Sequence, residues 1–269
     1  MNAPAEHAPD SDLDRRFGGV ARLYGEAAAV RLRNAHAVVV GLGGVGSWAA
    51  EALARCGVGR ISLIDLDHVA LSNTNRQIQA LGDEYGKAKV AVMAERLRAI
   101  HPAVQVDTVE EFVDAGNAAA LVPAADAVLD CIDQVVAKAA LVVHCRAQRL
   151  PLVCCGAGGG RIDPTRIRRG DLARIEGDPL LAKLRHRLRR EHGFPRVDAR
   201  GRVPAFGVPA VYSDEPVRRP PVCEGQDLAS GLACAGYGSS VMVTASLGMA
   251  AAALAVELML ARAVASAAA

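Results

Sequence analysis

Residues 36–47 read His36-Ala37-Val38-Val39-Val40-Gly41-Leu42-Gly43-Gly44-Val45-Gly46-Ser47, and this stretch decides the fold. The first five residues, ending in three valines, have the pattern of a fully buried strand. Gly41, Gly43 and Gly46 then give a G-x-G-x-x-G spacing, with Gly44 between them, and the run from Trp48 to Arg55 continues as a helix. A second strand, Arg60-Ile61-Ser62-Leu63-Ile64, ends at Asp65. A glycine turn that follows a strand and opens a helix, with an acid about 20 residues on, is a nucleotide-binding βαβ unit. The glycines let backbone N–H groups approach phosphate oxygens, and the helix N-terminus adds the positive end of its dipole. Asp65 is placed to accept hydrogen bonds from ribose hydroxyls. The chain is therefore expected to be α/β, with a Rossmann-like, mostly parallel sheet flanked by helices.

Beyond Asp65 the sequence carries charges that a plain dinucleotide binder does not need. Asp67 is followed by Ser72-Asn73-Thr74-Asn75-Arg76-Gln77, and Gly86-Lys87-Ala88-Lys89 opens another helical pattern. A later strand, Ala127-Val128-Leu129, ends in Asp130-Cys131-Ile132-Asp133. Strand C-termini of an open parallel sheet converge on one crevice. Asn73, Arg76, Lys89, Asp130 and Asp133 are thus expected to line one pocket, with the cations facing phosphate. The carboxylates suit Mg²⁺, which takes oxygen ligands and keeps several waters. Taken singly, Arg76 and Lys89 read equally as solvated charges, and Asp133 as a helix cap. It is the ordered set that points to breaking a triphosphate.

These motifs resemble the adenylation domain of the ubiquitin-activating-enzyme-like superfamily, to which the molybdopterin- and thiamine-synthesis adenylyltransferases belong. The resemblance covers about residues 15–160. Arg16-Phe17-Gly18-Gly19-Val20-Ala21-Arg22-Leu23-Tyr24-Gly25, Asn73-Thr74-Asn75-Arg76-Gln77-Ile78, Gly158-Gly159-Gly160-Arg161-Ile162-Asp163-Pro164-Thr165 and Met242-Val243-Thr244-Ala245-Ser246-Leu247-Gly248 are similar to the tRNA threonylcarbamoyladenosine dehydratases. The resemblance implies that ATP is held by Gly41, Gly43, Gly44, Gly46, Asp65 and Asp67, that Asn73, Arg76 and Lys89 contact its phosphates, and that Asp133 serves Mg²⁺ and catalysis. It implies a homodimer in which Arg16 or Arg22 is donated to the partner subunit's site. The implied reaction is ATP-dependent cyclisation of threonylcarbamoyladenosine in tRNA, by activation of the threonine carboxylate. ATP leaves as AMP or ADP.

Two other readings stand beside this one. Relatives activate the C-terminus of a ubiquitin-like sulfur-carrier protein, and many hold zinc in paired Cys-x-x-Cys motifs. The seven cysteines here form no such pair, so no zinc is expected. A nicotinamide-dependent oxidoreductase would account for the glycines alone and leave Arg76 and Lys89 without a purpose. Cys234 matches a dehydratase cysteine to which a cysteine desulfurase or sulfur-acceptor partner is linked. A buried structural cysteine is the plainer reading of that residue.

The chain has 269 residues, 51% hydrophobic but only 3% aromatic, so its core is built from Ala, Val and Leu. The length suits one domain, residues 15–269, behind a flexible N-terminus of residues 1–14. Residues 15–160 read as its ATP-binding half and residues 161–269 as its substrate-facing half. An odd number of cysteines and no secretory signal pattern point to the cytoplasm. The apolar run Val241–Leu260 has the length of a membrane span, but it is rich in alanine and carries Glu257. A buried or subunit-interface helix is expected, and a membrane is not.

The net charge of +2 is unevenly spread. Residues 161–202 hold 13 Lys or Arg against 6 Asp or Glu. Lys183-Leu184-Arg185-His186-Arg187-Leu188-Arg189-Arg190 is the densest part, behind the helix start Asp178-Pro179. Arg185, Arg187, Arg189 and Arg190 are candidate tRNA contacts, with a solvated helix face as the alternative. No DNA partner is expected. Residues 195–228, dense in proline and glycine, read as one mobile loop.

Overall fold

The computed structural model describes residues 11–218 and 237–267. In chain order the elements are α1 (Ser11–Tyr24), α2 (Glu26–Asn34), β1 (His36–Val40), α3 (Gly46–Arg55), β2 (Arg60–Ile64), α4 (Lys89–Ile100), β3 (Gln105–Val109) and α5 (Ala118–Leu121). They continue with β4 (Ala127–Asp130), α6 (Val135–Ala147), β5 (Leu152–Cys155), β6 (Ile167–Asp171), α7 (Pro179–Glu191), β7 (Pro209–Ser213) and α8 (Val241–Ala267).

Seven strands form one sheet in the order β3-β2-β1-β4-β5-β7-β6. All neighbours are parallel except β6 and β7, which run antiparallel. Val38, Val39 and Val40 are buried because β1 is the middle of the doubly covered part of the sheet. Side chains alternate between two cores. Val39, Leu63 and Leu129 pack with α3, α4 and α8. Val38, Val40 and Val128 pack with α6 and α7. The sheet runs on past residue 160, because β5 pairs with β7.

Two expectations are corrected. Residues 195–228 are not one loop: Pro209–Ser213 is a strand lying between β5 and β6. Pro209 escapes the usual bar on proline because it is the strand's first residue, where no ladder donor is needed. Residues 219–228 of that segment lie outside the described residues. The N-terminus is already helical from Ser11, inside the stretch expected to be irregular. Phe17 of α1 is buried against Gly57 and meets the His101 ring at 4.7 Å between centroids, the two planes tilted by 57°.

The apolar C-terminal run is α8, a helix of the core. Val243, Leu247, Ala251, Ala255 and Met259 recur every four residues and are buried. Glu257, the acid in that run, accepts two hydrogen bonds from Arg169 at 2.7 and 2.8 Å. Gly248 lets α8 press on α3, since a Cβ there would stand 2.4 Å from the Val45 carbonyl oxygen. The start of α8 is thereby fixed beside the glycine turn.

Candidate active site

A crevice of about 530 Å³ opens at the C-terminal ends of the strands, within the size range of small-molecule sites. Gly41, Gly43, Gly44, Asp65, Asp67, Asn73, Arg76, Lys89 and Asp133 all line it. Gly41 adopts φ 89°, and a Cβ on it would sit 3.0 Å from the Cys131 carbonyl. At Gly43 nothing lies within 4 Å of a Cβ position, so this face of the turn is open to the crevice. Gly46 behaves differently from the expectation. It does not line the crevice: a Cβ on it would stand 1.8 Å from the Gly41 carbonyl oxygen, so it closes the turn on itself. In the first turn of α3 the Ser47 N–H donates to the Gly43 carbonyl at 3.2 Å and the Ala49 N–H to the Val45 carbonyl at 3.0 Å, which ties the helix start to the glycine turn.

Asp65, one residue past β2, is nine-tenths buried and braces the turn from below. Its Oδ2 accepts from the Leu42 N–H at 2.5 Å and its Oδ1 from the Asp67 N–H at 2.8 Å. Burial pushes its carboxyl above the usual value, while Lys89 and the two amides pull it back down. Lys89, at the first position of α4, is buried with its Nζ 2.7 Å from Asp67 Oδ2 and 4.0 Å from Asp65 Oδ1. The ammonium is therefore held at a fixed place on the crevice wall.

The segment after Asp67 is a tightly bonded turn. Asn73 Oδ1 accepts from the Ala70 N–H at 3.0 Å. Arg76 donates to the Ser72 carbonyl at 2.7 Å and to Asn75 Oδ1 at 3.0 Å. Trp48 of α3 donates to the Arg76 carbonyl at 3.0 Å, and Gln79 to the Leu42 carbonyl at 2.9 Å. Neither Trp48 nor Gln79 is singled out by motif, because each acts through a contact made only in the folded chain. Arg76 lies along Gly44, where a Cβ would be 3.1 Å from its Cγ.

Asp130 and Asp133 part company. Asp133 is exposed in the crevice and makes no hydrogen bond among the described residues; the cap position of α6 is Gln134. Asp130 does not line the crevice. It is fully buried beneath the floor, 3.0 Å from the Nζ of Lys138, and accepts from Cys154 Sγ at 3.3 Å. The alternation of β4 turns it to the α6 side, a choice the motif alone does not reveal. Among the described residues no three His, Cys, Asp or Glu side chains converge as a metal cage.

The opposite wall carries Gly156, Ala157, Gly158, Leu180 and Thr244. It rests on Arg161, which is buried and donates to the carbonyls of Glu215 at 3.0 Å, Gly177 at 3.1 Å and Ala157. Asp178 stands 3.4 Å from the Arg161 guanidinium, accepts from the Ala157 N–H at 3.0 Å, and caps α7 through the Leu181 N–H at 2.9 Å.

Other candidates lie elsewhere. Arg16 pairs with Asp12 at 2.9 Å and reaches the Ile100 carbonyl at 3.3 Å. Arg22 is exposed on the same helix. Neither lines the crevice of its own chain, because α1 packs where β2 and β3 begin. On α7, Leu180, Leu181, Leu184 and Leu188 are buried. Arg187 and Arg190 share Glu191, whereas Arg185 and Arg189 donate to backbone carbonyls. Cys234 lies outside the described residues.

The chain is 48% identical over 258 residues to the tRNA threonylcarbamoyladenosine dehydratase of Escherichia coli, covering 93% of this chain and 95% of that protein. The crystal structure of E. coli tRNA N6-threonylcarbamoyladenosine dehydratase, TcdA, in complex with ATP superposes with a TM-score of 0.84 at 46% identity, covering 94% of this chain and 98% of that one. The E. coli molybdopterin-synthase adenylyltransferase is 38% identical over 122 residues, only 45% of this chain and 49% of that protein. The ThiF family model matches residues 15–265, and the chain belongs to the ThiF family.

Proposed function

We propose that this protein is an ATP-dependent tRNA threonylcarbamoyladenosine dehydratase, which cyclises the modified nucleoside by activating its threonine carboxylate. The observation that carries this reading is the gathering of the glycine turn, Arg76, Lys89 and Asp133 in one crevice of a chain similar to such a dehydratase over nearly its whole length. The residues fit ATP: Gly43 leaves room for a phosphate against backbone amides, and Asp65 stands where a ribose is gripped. They also fit Mg²⁺, which needs only one or two carboxylates besides phosphate oxygens and water; Asp133 and Asp67 would hold it.

A carboxylate is a poor acyl donor because oxide would have to leave. ATP supplies a far better leaving group. Arg76 and Lys89 offset the charge that develops on the phosphates, and both are held by protein contacts before substrate arrives. The Gly156–Gly158 wall, fixed by Arg161 and Asp178, lines the same crevice and would receive the carboxylate. Ring closure then needs mainly positioning, because an intramolecular attack gains on the order of 7–11 kcal/mol from prepaid entropy. Net loss of one water gives the cyclic product.

Homodimer formation belongs to the same proposal, since α1 carries Arg16 and Arg22 away from their own crevice and exposes Leu23 and Tyr24, while α2 exposes Val30. So do a cytoplasmic location, where tRNA is, and a sulfur-acceptor partner at Cys234. The test is the dependence of ATP consumption on the second substrate. Consumption that requires tRNA bearing threonylcarbamoyladenosine supports the reading. Consumption that requires a ubiquitin-like carrier protein, with tRNA inert, contradicts it.

A further inference from the structure

A second groove of about 560 Å³ lies away from the crevice, between α7, the turn Leu172–Arg174 and the segment 202–203. Four guanidiniums line it, those of Arg174, Arg185, Arg189 and Arg202, against one carboxylate, Glu176. Arg202 already pairs with Asp198 at 2.7 Å. The other three form no ion pair among the described residues. Arg174 donates to the Val203 carbonyl at 3.2 Å, Arg185 to that of Ile175, and Arg189 to those of Pro195 at 3.1 Å and Ala173 at 3.3 Å.

Lys183, Arg196 and Arg200 of the basic segment also form no ion pair among the described residues, but they do not line the groove. Arg166 and Arg168 pair with Asp214, Arg169 with Glu257, and Arg187 and Arg190 with Glu191. Carbonyl oxygens orient a guanidinium without neutralising it. Arg185 and Arg189 are four residues apart on one face of α7, where like charges repel. Burial first, and the Arg189 charge second, lower the pKa of Arg185, and Glu176 offsets them only in part. The Arg189 guanidinium also lies 5.3 Å above the Phe206 ring, which fixes its plane. Preoriented, unneutralised guanidinium forks match the oxygens of a phosphate.

The groove is also coupled to the crevice. Asp178 caps α7 and holds Ala157 of the crevice wall. At 1.5 Å per residue, Arg185 and Arg189 stand about 10 and 16 Å along the helix from that cap. A nucleotide chain with one residue in the crevice can lay its backbone there.

We propose that this groove is a phosphodiester subsite for the tRNA substrate, in which Arg174, Arg185 and Arg189 grip one backbone phosphate. The proposal rests on the tRNA reading above and relocates the contact from the outer face of α7, where Arg187 and Arg190 share Glu191, to the groove beneath it.

The test is binding of labelled tRNA bearing threonylcarbamoyladenosine, across a range of KCl, by the full chain. Arg174→Gln/Arg185→Gln should weaken binding at least tenfold at moderate salt, and the slope of log Kd against log salt should fall by about one, for the one phosphate lost. ATP affinity and kcat at saturating tRNA should stay unchanged. Arg187→Gln/Arg190→Gln should leave the slope nearly as it was. Should the double variant fail to fold, Arg174→Gln alone, on an exposed side chain, should give the same direction. Wild-type tRNA affinity in the groove variants, with wild-type turnover of modified tRNA intact, overturns the subsite and spares the activity. Lost affinity for polyglutamate with unchanged tRNA binding would assign the groove to an acidic protein and overturn it as well. Absence of tRNA turnover in the wild-type enzyme is the separate result that removes the functional reading.

Discussion

The Nζ of Lys138 stands 3.0 Å from Asp130 Oδ1, and both side chains are sealed from solvent beneath the crevice floor. Lys138 also donates to the carbonyls of Asp130 at 3.3 Å and Ile132 at 2.9 Å. It thereby holds the turn that carries Asp133. Burial opposes its charge, but the Asp130 carboxylate more than offsets this, and its pKa stands above the ordinary lysine value. Removing one member leaves an uncompensated buried charge. Lys138→Met should therefore cost about 3–5 kcal/mol in denaturant unfolding. Asp130→Asn/Lys138→Met should be less destabilised than the single variant. Strictly additive losses would show that the two side chains do not act as a pair.

The glycine turn predicts a contrast between two alanines. Gly46→Ala drives a Cβ into the Gly41 carbonyl and should lower the melting temperature. Gly43→Ala meets no protein atom within 4 Å and should melt near the wild-type temperature. It should still weaken ATP binding, because the methyl enters the space beside the amides. Calorimetry with and without ATP separates the two effects.

Arg76 and Asp133 face the crevice without supporting the core. Arg76→Ala and Asp133→Ala should each lower kcat by two orders of magnitude or more, the scale of one lost electrostatic contact in a transition state. Unfolding midpoints should stay within about 0.5 kcal/mol of the parent, as for surface substitutions. Full activity in either variant removes that residue from the chemistry.

The contrast between these residues marks what the sequence makes legible. Gly41–Ser47, Asp65 and the strands on either side are local patterns, and the chain folds them as read. Arg76, Lys89 and Asp133 reach the crevice because each follows a strand or opens a helix at the same end of the sheet. Asp130 carries the same motif signal, yet the alternation of β4 turns it away toward Lys138. Arg161 and Asp178 are 17 positions apart and Arg161 and Glu215 are 54 apart, so their joint support of the crevice wall has no local signature. β7 is hidden by the proline that begins it. The carbonyl partners of Arg185 and Arg189 appear only once α7 has packed.

Glu215 makes the stability of that wall depend on pH. Its Oε2 accepts from the Asp163 N–H at 2.8 Å and the Ile162 N–H at 2.9 Å, and Arg218 donates to Oε1 at 3.2 Å. The Asp163 amide, aided by the Ile162 amide and Arg218 and opposed by burial, holds its carboxyl below the usual 4.5. A depressed folded-state pKa contributes stability above the unfolded value, lost as pH falls through the folded one. Glu215→Gln should therefore cost about 1–3 kcal/mol at neutral pH. The gap to wild type should narrow as pH drops below about 4.5. A gap that stays constant down to pH 3 would contradict the assignment.

The central claim is that one crevice activates a carboxylate on tRNA. Purified enzyme, ATP and tRNA bearing threonylcarbamoyladenosine should yield, after digestion to nucleosides, a product lighter than the starting nucleoside by one water in mass spectrometry. That product should be absent without ATP and absent with Asp133→Ala. An unchanged nucleoside mass in the presence of a folded, ATP-binding enzyme would contradict the account.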